Sequence, residues 1–577
     1  MFCLIRPPGV ETFRIGTLTI APPLGAAYIA AAVEASGRPV SVIDAVAEAP
    51  RTHTAYFRGY LIGLRLAEIV RRIPAEAAVV GITCIFTHEW PLTARLIALI
   101  KRARPELRVV VGGEHVSCMP EFSMATAPAD YLVIGEGEET IIDLLGLIER
   151  GGNPRYVPGI AFRDGDDIVV NPRRARNLQI DELPPPAWHH FDLKTYHENR
   201  FVGGMYSASL TVPMLATRGC PYQCTYCSSP NMWTPRWVAR KPTAVVDEME
   251  DYVRRLGAGN FPFQDLTAIL DRDWIVEFCE EILRRGLDIT WQLPSGTRSE
   301  AIDAEVAHLL ARTGMACMAY APESGSETTR RLIKKRMRTD KLFASIRAAA
   351  QADLNVAAFV VLGFPHDRPE HMRETLEFVK EIAAAGVTDL GTSYYMALPG
   401  TELFNNIYRN GGIELDRRYF RHILEGLAII PANSYCDEIG RVGLLFWRAR
   451  LSLAFYLASL RKLGAGAAWR GVRRAFGDRS HGSKLQTAVR VAIKNGISVV
   501  KSRLGRRWMP RHEEDLMFAE WDAVYREIWD HRLRNGLPEP PADPAELSRT
   551  NVIRALRSDH EATHTFRPAT VADGSVR

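Results

Sequence analysis

Short apolar runs alternate with amphipathic stretches along the first 150 residues. "FCLIRPP", "PVSVIDA", "AVVGITCIF", "RVVVGGEH" and "YLVIGEGEE" are rich in Val and Ile and end in Gly, Pro or polar residues, which predicts strands. "LGAAYIAAAVEASG" and "PLTARLIALIKRARP" carry helical spacing and close on Gly or Pro. Strand–helix alternation predicts an α/β unit, a doubly wound parallel sheet of Rossmann-like kind. Ligands of such sheets sit at the carboxyl ends of the strands, where "TCIFTHE", "GGEHVS" and "GEGEE" fall. The glycines there either let backbone approach a large ligand or only make turns.

The texture changes over 151–210. "IAFRDGDDIVV" predicts a hairpin with an Asp-Gly turn, and "DELPPPAW" a stiff connector. Over 211–410 the alternation resumes, with strands at "LTVPMLATRGC", "NFPFQDL", "ITWQLPSG", "CMAYAPES", "VAAFVVLGF" and "LGTSYYMALPG". "DWIVEFCEEILRRG", "DAEVAHLLARTG" and "HMRETLEFVKEIAAAG" are helices between them. Six such units in a row predict a partial or whole barrel. From 411 to 577 the chain reads as mostly helical, with a Pro- and Ala-rich tail after Pro538 that is expected to be disordered near its end.

Charge sharpens the picture only in that last region. Arg441 to Arg511 holds seventeen Lys and Arg against Asp478 alone, interleaved with aromatic and aliphatic residues. Two readings stay open: a helix lying on an anionic membrane surface, or a basic-faced helix packed on the barrel. No motif points to specific nucleic-acid recognition. At 577 residues, 47% hydrophobic and 24% charged with a net charge of +5, the composition is that of a soluble multidomain protein. No apolar run is long enough to span a bilayer, and "MFCLIRPPGVE" reads as a strand, not an export signal. Of nine cysteines, three are clustered and six scattered, which is no disulfide framework. A reducing cytoplasm is the expected location, with the inner membrane face as an alternative for the basic segment.

The clustered cysteines carry the chemistry. Cys220, Cys224 and Cys227 follow a C-x3-C-x2-C spacing directly after "TVPMLATRG". Zinc sites favour paired C-x2-C units, and no second pair follows, although a structural zinc remains the competing reading. Three thiolates in one loop can instead hold three irons of a 4Fe–4S cluster and leave the fourth iron open.

"CPYQCTYC" resembles the signature of the radical S-adenosylmethionine (radical SAM) enzymes. "FPFQDLT", "WQLPSGTRSEAID", "YAPESGSETTRRLIKK", "FVVLGFP" and "YMALPGTELF" resemble their second to sixth barrel strands, in order, over residues 211–410. The resemblance implies that Cys220, Cys224 and Cys227 ligate the cluster, and that its open iron chelates S-adenosylmethionine and drives its cleavage to an adenosyl radical. It implies further that Tyr226 flanks the adenine, and that Glu323 and Ser324 face the ribose or methionine. Ser295, Arg298 and Gln264 are further candidate contacts. Gln264-Asp265 stands where the family usually has an acidic pair, and Glu323 has an alternative role as a helix-capping carboxylate.

"PPLGAAYIAAAVEASGRPVSVIDA", "GGEHVSCMPE" and "IGEGEETIIDLL" resemble the cobalamin-binding domain that precedes many radical SAM barrels. The implied contacts are Leu24, Gly25, Thr83, Phe86, Thr87, His88, Gly112, Gly113, Glu114, His115, Gly135, Glu136 and Gly137. There is no D-x-H-x-x-G motif, so His88 is a contact or, as a less favoured alternative, a cobalt ligand; His115 ranks below it. Cys3, Cys84 and Cys118 raise a second cluster of the methylthiotransferase kind, against which stands their reading as buried small hydrophobes.

The resemblance as a whole implies a cobalamin-dependent radical SAM methyltransferase acting on an unactivated carbon. The alternative is an oxidative cyclase, or an enzyme modifying lipids, isoprenoids or tetrapyrroles, with the same cofactors. The implied partners are a small-molecule substrate, apolar or lipid-like if the basic segment meets a membrane, and an electron donor of flavodoxin or ferredoxin type. No catalytic acid or base stands out; Tyr320, Tyr394 and Tyr395 are equally open as hydrogen donors.

Overall fold

The computed structural model describes residues 1–12, 20–57, 59–426, 428, 431 and 433–477, with side chains of the final helix described as far as Arg461. Seven strands form the first sheet: β1 (Phe2–Arg6), β2 (Val40–Asp44), β3 (Val79–Thr83), β4 (Arg108–Gly112), β5 (Tyr131–Val133), β6 (Ile160–Asp164) and β7 (Asp167–Val170). Their order is β7-β6-β5-β4-β3-β1-β2. The first five strands are parallel, in the 2-1-3-4-5 order of doubly wound sheets. All five strands read from sequence are present. The hairpin is there too, but its two-residue turn is Gly165-Asp166, since Asp164 pairs with Asp167. It adds β6 antiparallel to β5 and so extends the first sheet.

Helix α1 (Leu24–Ala35) follows Pro22-Pro23 and packs on this sheet through Ala26, Ala27, Ala30 and Ala31, whose small side chains allow close approach. A small antiparallel sheet, Gly9–Glu11, His53–Tyr56 and Gly59–Ile62, covers one end; the sequence pattern did not single it out.

The second sheet runs β8 (Leu210–Thr211), β9 (Ala258–Pro262), β10 (Thr290–Thr297), β11 (Met315–Glu323), β12 (Asn355–Leu362) and β13 (Asp389–Tyr394), in chain order and all parallel. Among the described residues β8 and β13 do not pair, so the barrel is partial. The strand expected from "LTVPMLATRGC" is broken. Pro213 lacks a ladder N–H, only a bridge at Met214 continues the pairing with Phe263, and Thr217–Arg218 pairs separately with Val238–Ala239. This break releases the chain into the cysteine loop.

The two sheets share an apolar interior. Trp90, Val111 and Phe122 of the first unit cluster with Phe364, Tyr395 and Phe420 of the second. Helix α2 (Arg441–Gly477) packs on the barrel through Leu444, Trp447, Leu451 and Phe455, spaced three and four apart and all buried. Arg448 reaches Thr392 at 3.0 Å, and Tyr456 donates to Asp389 at 3.2 Å. Over Arg441–Arg461 the basic segment is thus a helix packed on the barrel, while its outer face exposes Val442, Phe446, Leu453, Leu457 and Leu460. No described helix is long and apolar enough to cross a membrane. The basic segment beyond Gly477 and the tail lie outside the described residues.

Candidate functional site

The cysteine loop is pinned from three directions. Gly219 adopts φ +86°, and a Cβ there would meet the Arg236 carbonyl oxygen at 2.2 Å, so only glycine turns the chain into the loop. The Thr225 N–H donates to the Ile333 carbonyl at 3.1 Å, and the Thr225 carbonyl accepts from Leu403 N–H at 2.9 Å. Cys227 N–H donates to Cys224 O at 3.1 Å, which closes the last turn. All three thiols are free and partly exposed. The Cys220 sulfur accepts from Thr267 Oγ1 at 3.6 Å.

Asp265 anchors the chain just before the loop. It is buried, accepts from Ala216 N–H at 3.1 Å and from Thr217 Oγ1 at 2.6 Å, and burial pushes its pKa up to about 6. Its neighbour Gln264 buries an amide nitrogen that has no hydrogen-bond partner among the described residues.

Around the loop, Tyr226 donates to Glu323 Oε1 at 2.7 Å, and Lys335 Nζ lies 3.0 Å from the same oxygen. Burial opposes the Lys335 charge, but the carboxylate beside it prevails and raises the ammonium pKa. Glu323 ends β11 at φ +66°, a conformation a non-glycine residue adopts only when its surroundings enforce it. Arg298 lies over the Tyr222 ring at 4.2 Å, and its Nε has no hydrogen-bond partner among the described residues. Thr297, Arg298, Tyr320 and Lys335 line a small cleft between the ends of β10 and β11. Ser295 is exposed on β10. Ser324 is buried, its hydroxyl 3.1 Å from Thr375 Oγ1 and accepting from Ser326 N–H at 3.1 Å. Tyr320 is buried against Ser345, Tyr394 lies under Arg448, and the buried Tyr395 hydroxyl has no hydrogen-bond partner among the described residues.

The candidate residues of the first sheet gather at its carboxyl edge, the place such sheets use for ligands. Leu24 and Gly25 open α1. Thr83 ends β3, and Phe86, Thr87 and His88 follow, with Phe86 exposed and stacked on His88. Gly112 ends β4; Gly113, at φ +130°, brings the chain against the Cys84 carbonyl. His115 is buried against Trp90, its Nδ1 is 3.4 Å from Thr87 Oγ1, and its Nε2 has no hydrogen-bond partner among the described residues. Burial depresses the pKa of His88 to about 4 and of His115 to about 3, so both are neutral. Gly135, Glu136 and Gly137 follow β5, where Glu136 is engaged by Arg176 and Arg218. Cys3 and Cys84 are fully buried within the sheet core, and Cys118 is partly buried.

Residues 15–145 match the family model described as B12 binding domain, and residues 214–379 that of the radical SAM superfamily. The chain is a radical SAM enzyme with a B12-binding domain. It is 27% identical, over 77% of its length and 89% of the relative, to the cytidylyl-2-hydroxyethylphosphonate methyltransferase of Streptomyces wedmorensis. It is also 27% identical to the anaerobic magnesium-protoporphyrin IX monomethyl ester cyclase of Cereibacter sphaeroides, over 67% of this chain and 60% of that one. In fold it is similar to the radical S-adenosylmethionine methyltransferase TsrM from Kitasatospora setae, with a TM-score of 0.56 and 18% identity over 72% of this chain and 77% of that one. The cobalamin-dependent radical enzyme OxsB superposes at 0.61, with 14% identity over 97% and 84% of the two chains.

The cofactors of this radical SAM enzyme are a 4Fe–4S cluster, S-adenosylmethionine and cobalamin, and its side chains fit them. Three free thiols held in one eight-residue loop can take three irons of such a cluster. Burial raises the pKa of the Cys227 thiol to about 12, so iron loading must displace protons there. The unpaired Arg298 Nε, beside Tyr222 of the cysteine loop, and the buried Gln264 Nε2 offer donors to a polar ligand. The glycine-bearing edge, with Ile85 and Phe86 exposed, offers a broad apolar ligand both backbone and rings.

Lys335 carries no motif of its own in the sequence beyond the basic run "RRLIKK" just after the ESGS turn. Arg218, Glu138 and Ser228 carry none either, because their partners lie far away in the chain.

Proposed function

We propose that this radical SAM enzyme methylates an unactivated carbon of a small molecule. One observation carries the reading: the loop that holds the cluster cysteines and the loop after β4 touch directly, through Ser228 and Glu114. Two cofactor sites that share a wall suit a reaction in which one cofactor opens a C–H bond and the other donates a carbon. When bound, the cluster and S-adenosylmethionine supply a radical that removes hydrogen, and cobalamin supplies the methyl group. The chain's own residues bind and orient. Lys335 and Arg298 present cations to a carboxylate of the nucleoside ligand, Glu323 fixes Lys335 and Tyr226, and the shared apolar interior excludes water. The likeness to a methyltransferase over 89% of that relative supports the same reading.

The second reading is oxidative cyclisation with the same cofactors, favoured by the likeness to the tetrapyrrole-ester cyclases. An electron donor of flavodoxin or ferredoxin type completes either scheme. The exposed apolar stripe of α2 with its flanking arginines supports peripheral contact with the inner membrane face and an apolar or lipid-like substrate.

The experiment is anaerobic incubation of reconstituted protein with methyl-labelled S-adenosylmethionine and an extract of the source cells. A product heavier by one labelled methylene, formed together with 5'-deoxyadenosine, is expected. Deoxyadenosine with an unlabelled product short of hydrogen would replace methylation by cyclisation.

A further inference from the structure

Both ends of the cysteine loop are held by carboxylates of the B12-binding domain. At the leading end Arg218, two residues before Cys220, donates to Glu136 Oε1 at 3.1 Å and to Glu138 Oε1 at 2.6 Å. The three side chains are 3%, 9% and 10% exposed, so the charges are all but out of water. Arg218 also lies over the rings of Tyr28 and Trp233, at 5.2 and 5.5 Å. The other Glu136 oxygen is fixed by Arg176 at 2.7 Å. At the trailing end Ser228, directly after Cys227, donates to Glu114. Arg173 then bridges the carbonyls of Ser117, in the B12-binding domain, and Asn231, four residues past Cys227.

These carboxylates are not scattered. Glu114 follows Gly112-Gly113 at the end of β4 and opens a short helix, Glu136 lies in the turn after β5, and Glu138 opens the helix that follows, all where the loops leave the carboxyl edge of the sheet. Gly113 and Gly135 hold those loops at φ +130° and +81°, and the Gly135 N–H donates to Ser117 Oγ at 2.9 Å, so the two loops are tied to each other. A ligand that reshapes either loop must move a carboxylate that is paired, in a low-dielectric setting, to the segment carrying the cluster ligands. Cluster potential responds to nearby charge and to hydrogen bonding at the sulfurs.

We propose that Arg218 and Ser228 are positioning residues that couple the two cofactor sites energetically, so that cobalamin binding shifts the reduction potential of the cluster. Coupling between sites is reciprocal, so the oxidation state of the cluster changes cobalamin affinity by the same factor. The inference rests on both cofactors binding here and not on the reaction being a methylation.

The test uses the full chain with its cluster reconstituted. The cluster midpoint is measured by EPR-monitored titration with and without bound cobalamin, and cob(II)alamin affinity with the cluster oxidised and reduced. In the wild type the midpoint shifts, and each tenfold ratio of affinities is matched by about 59 mV, the value for a one-electron couple. Arg218→Gln and Glu138→Gln abolish the shift, while Arg218→Lys retains part of it. Ser228→Ala, which removes one hydroxyl and no charge, reduces it and serves where the charge variants fail to hold iron. An unchanged midpoint in the cobalamin-loaded wild type overturns the proposal. So does a full-size shift in Ser228→Ala or in an iron-loaded Arg218→Gln, because a merely structural contact would alter iron content and leave the coupling intact.

Discussion

The Tyr226 hydroxyl and the Lys335 ammonium converge on one oxygen of Glu323, at 2.7 and 3.0 Å, linking the cysteine loop to the end of β11. Glu323 is 9% and Lys335 13% exposed, so neither charge is readily rehydrated if the other is lost. Breaking such a buried pair from one side costs on the order of 3–5 kcal/mol. Glu323→Gln should therefore lower the midpoint of thermal unfolding and weaken S-adenosylmethionine binding in equilibrium dialysis. Adding Lys335→Met to Glu323→Gln should restore stability without restoring that affinity. A double variant no more stable than Glu323→Gln would show that the pair is not the source of the loss.

Replacing Cys220, Cys224 or Cys227 singly by alanine should reduce iron and sulfide from about four per chain to near zero, because three ligands leave none spare. Cys3→Ala and Cys84→Ala should retain the full iron content, since both sulfurs are fully buried among Val and Ile with their pKa values raised by burial. Iron analysis of the five variants decides between one cluster and two.

Much of the fold was legible because parallel strands buried on both faces are written as continuous Val- and Ile-rich runs. β3, with "VVGIT", and β4, with "RVVVG", stand out in this way, and so do the loops after them. The cysteine motif was legible for another reason: its three ligands are local in sequence. What stayed hidden depends on distant partners. Arg218 reads as one more arginine until the fold brings Glu138, 80 positions away, to 2.6 Å. The break in the strand before the loop was signalled by Pro213, but its role as the exit into the cluster segment required the register of the neighbouring strands. Asp265 likewise resembles a ligand contact in sequence, whereas in the fold its oxygens are taken by Ala216 and Thr217.

The two faces of α2 predict opposite responses. Leu451 is fully buried against the barrel, so Leu451→Ala should cost about 2–5 kcal/mol in denaturant unfolding. Phe446 and Leu453 are 60% and 62% exposed. Phe446→Ser and Leu453→Ser should change stability by less than about 0.5 kcal/mol. Together they should weaken sedimentation with vesicles of anionic phospholipid. Equal sedimentation of variant and wild type would remove the outer stripe as a membrane contact.

Burial sets two groups against each other as pH changes. Asp367 accepts from Gly363 N–H at 3.1 Å, Phe364 N–H at 3.0 Å and Thr329 Oγ1 at 2.8 Å, yet burial outweighs these bonds and pushes its pKa up to about 6. A carboxyl raised in the folded state contributes stability that is present below its ordinary pKa near 3.8 and is lost as pH rises through 6. The loss amounts to about 3 kcal/mol. His115 runs the other way: burial lowers its pKa from 6.5 to about 3, so its contribution is present above 6.5 and is lost as pH falls, by about 2 kcal/mol between pH 6.5 and 5. Asp367→Asn should therefore gain on the wild type as pH rises from 4.5 to 7, and His115→Gln should gain on it as pH falls over the same interval. Urea unfolding of the three proteins at several pH values gives both slopes. Parallel curves for wild type and Asp367→Asn would mean that the carboxyl is solvated in the folded chain and that the Gly363–Asp367 turn is more open than its hydrogen bonds imply.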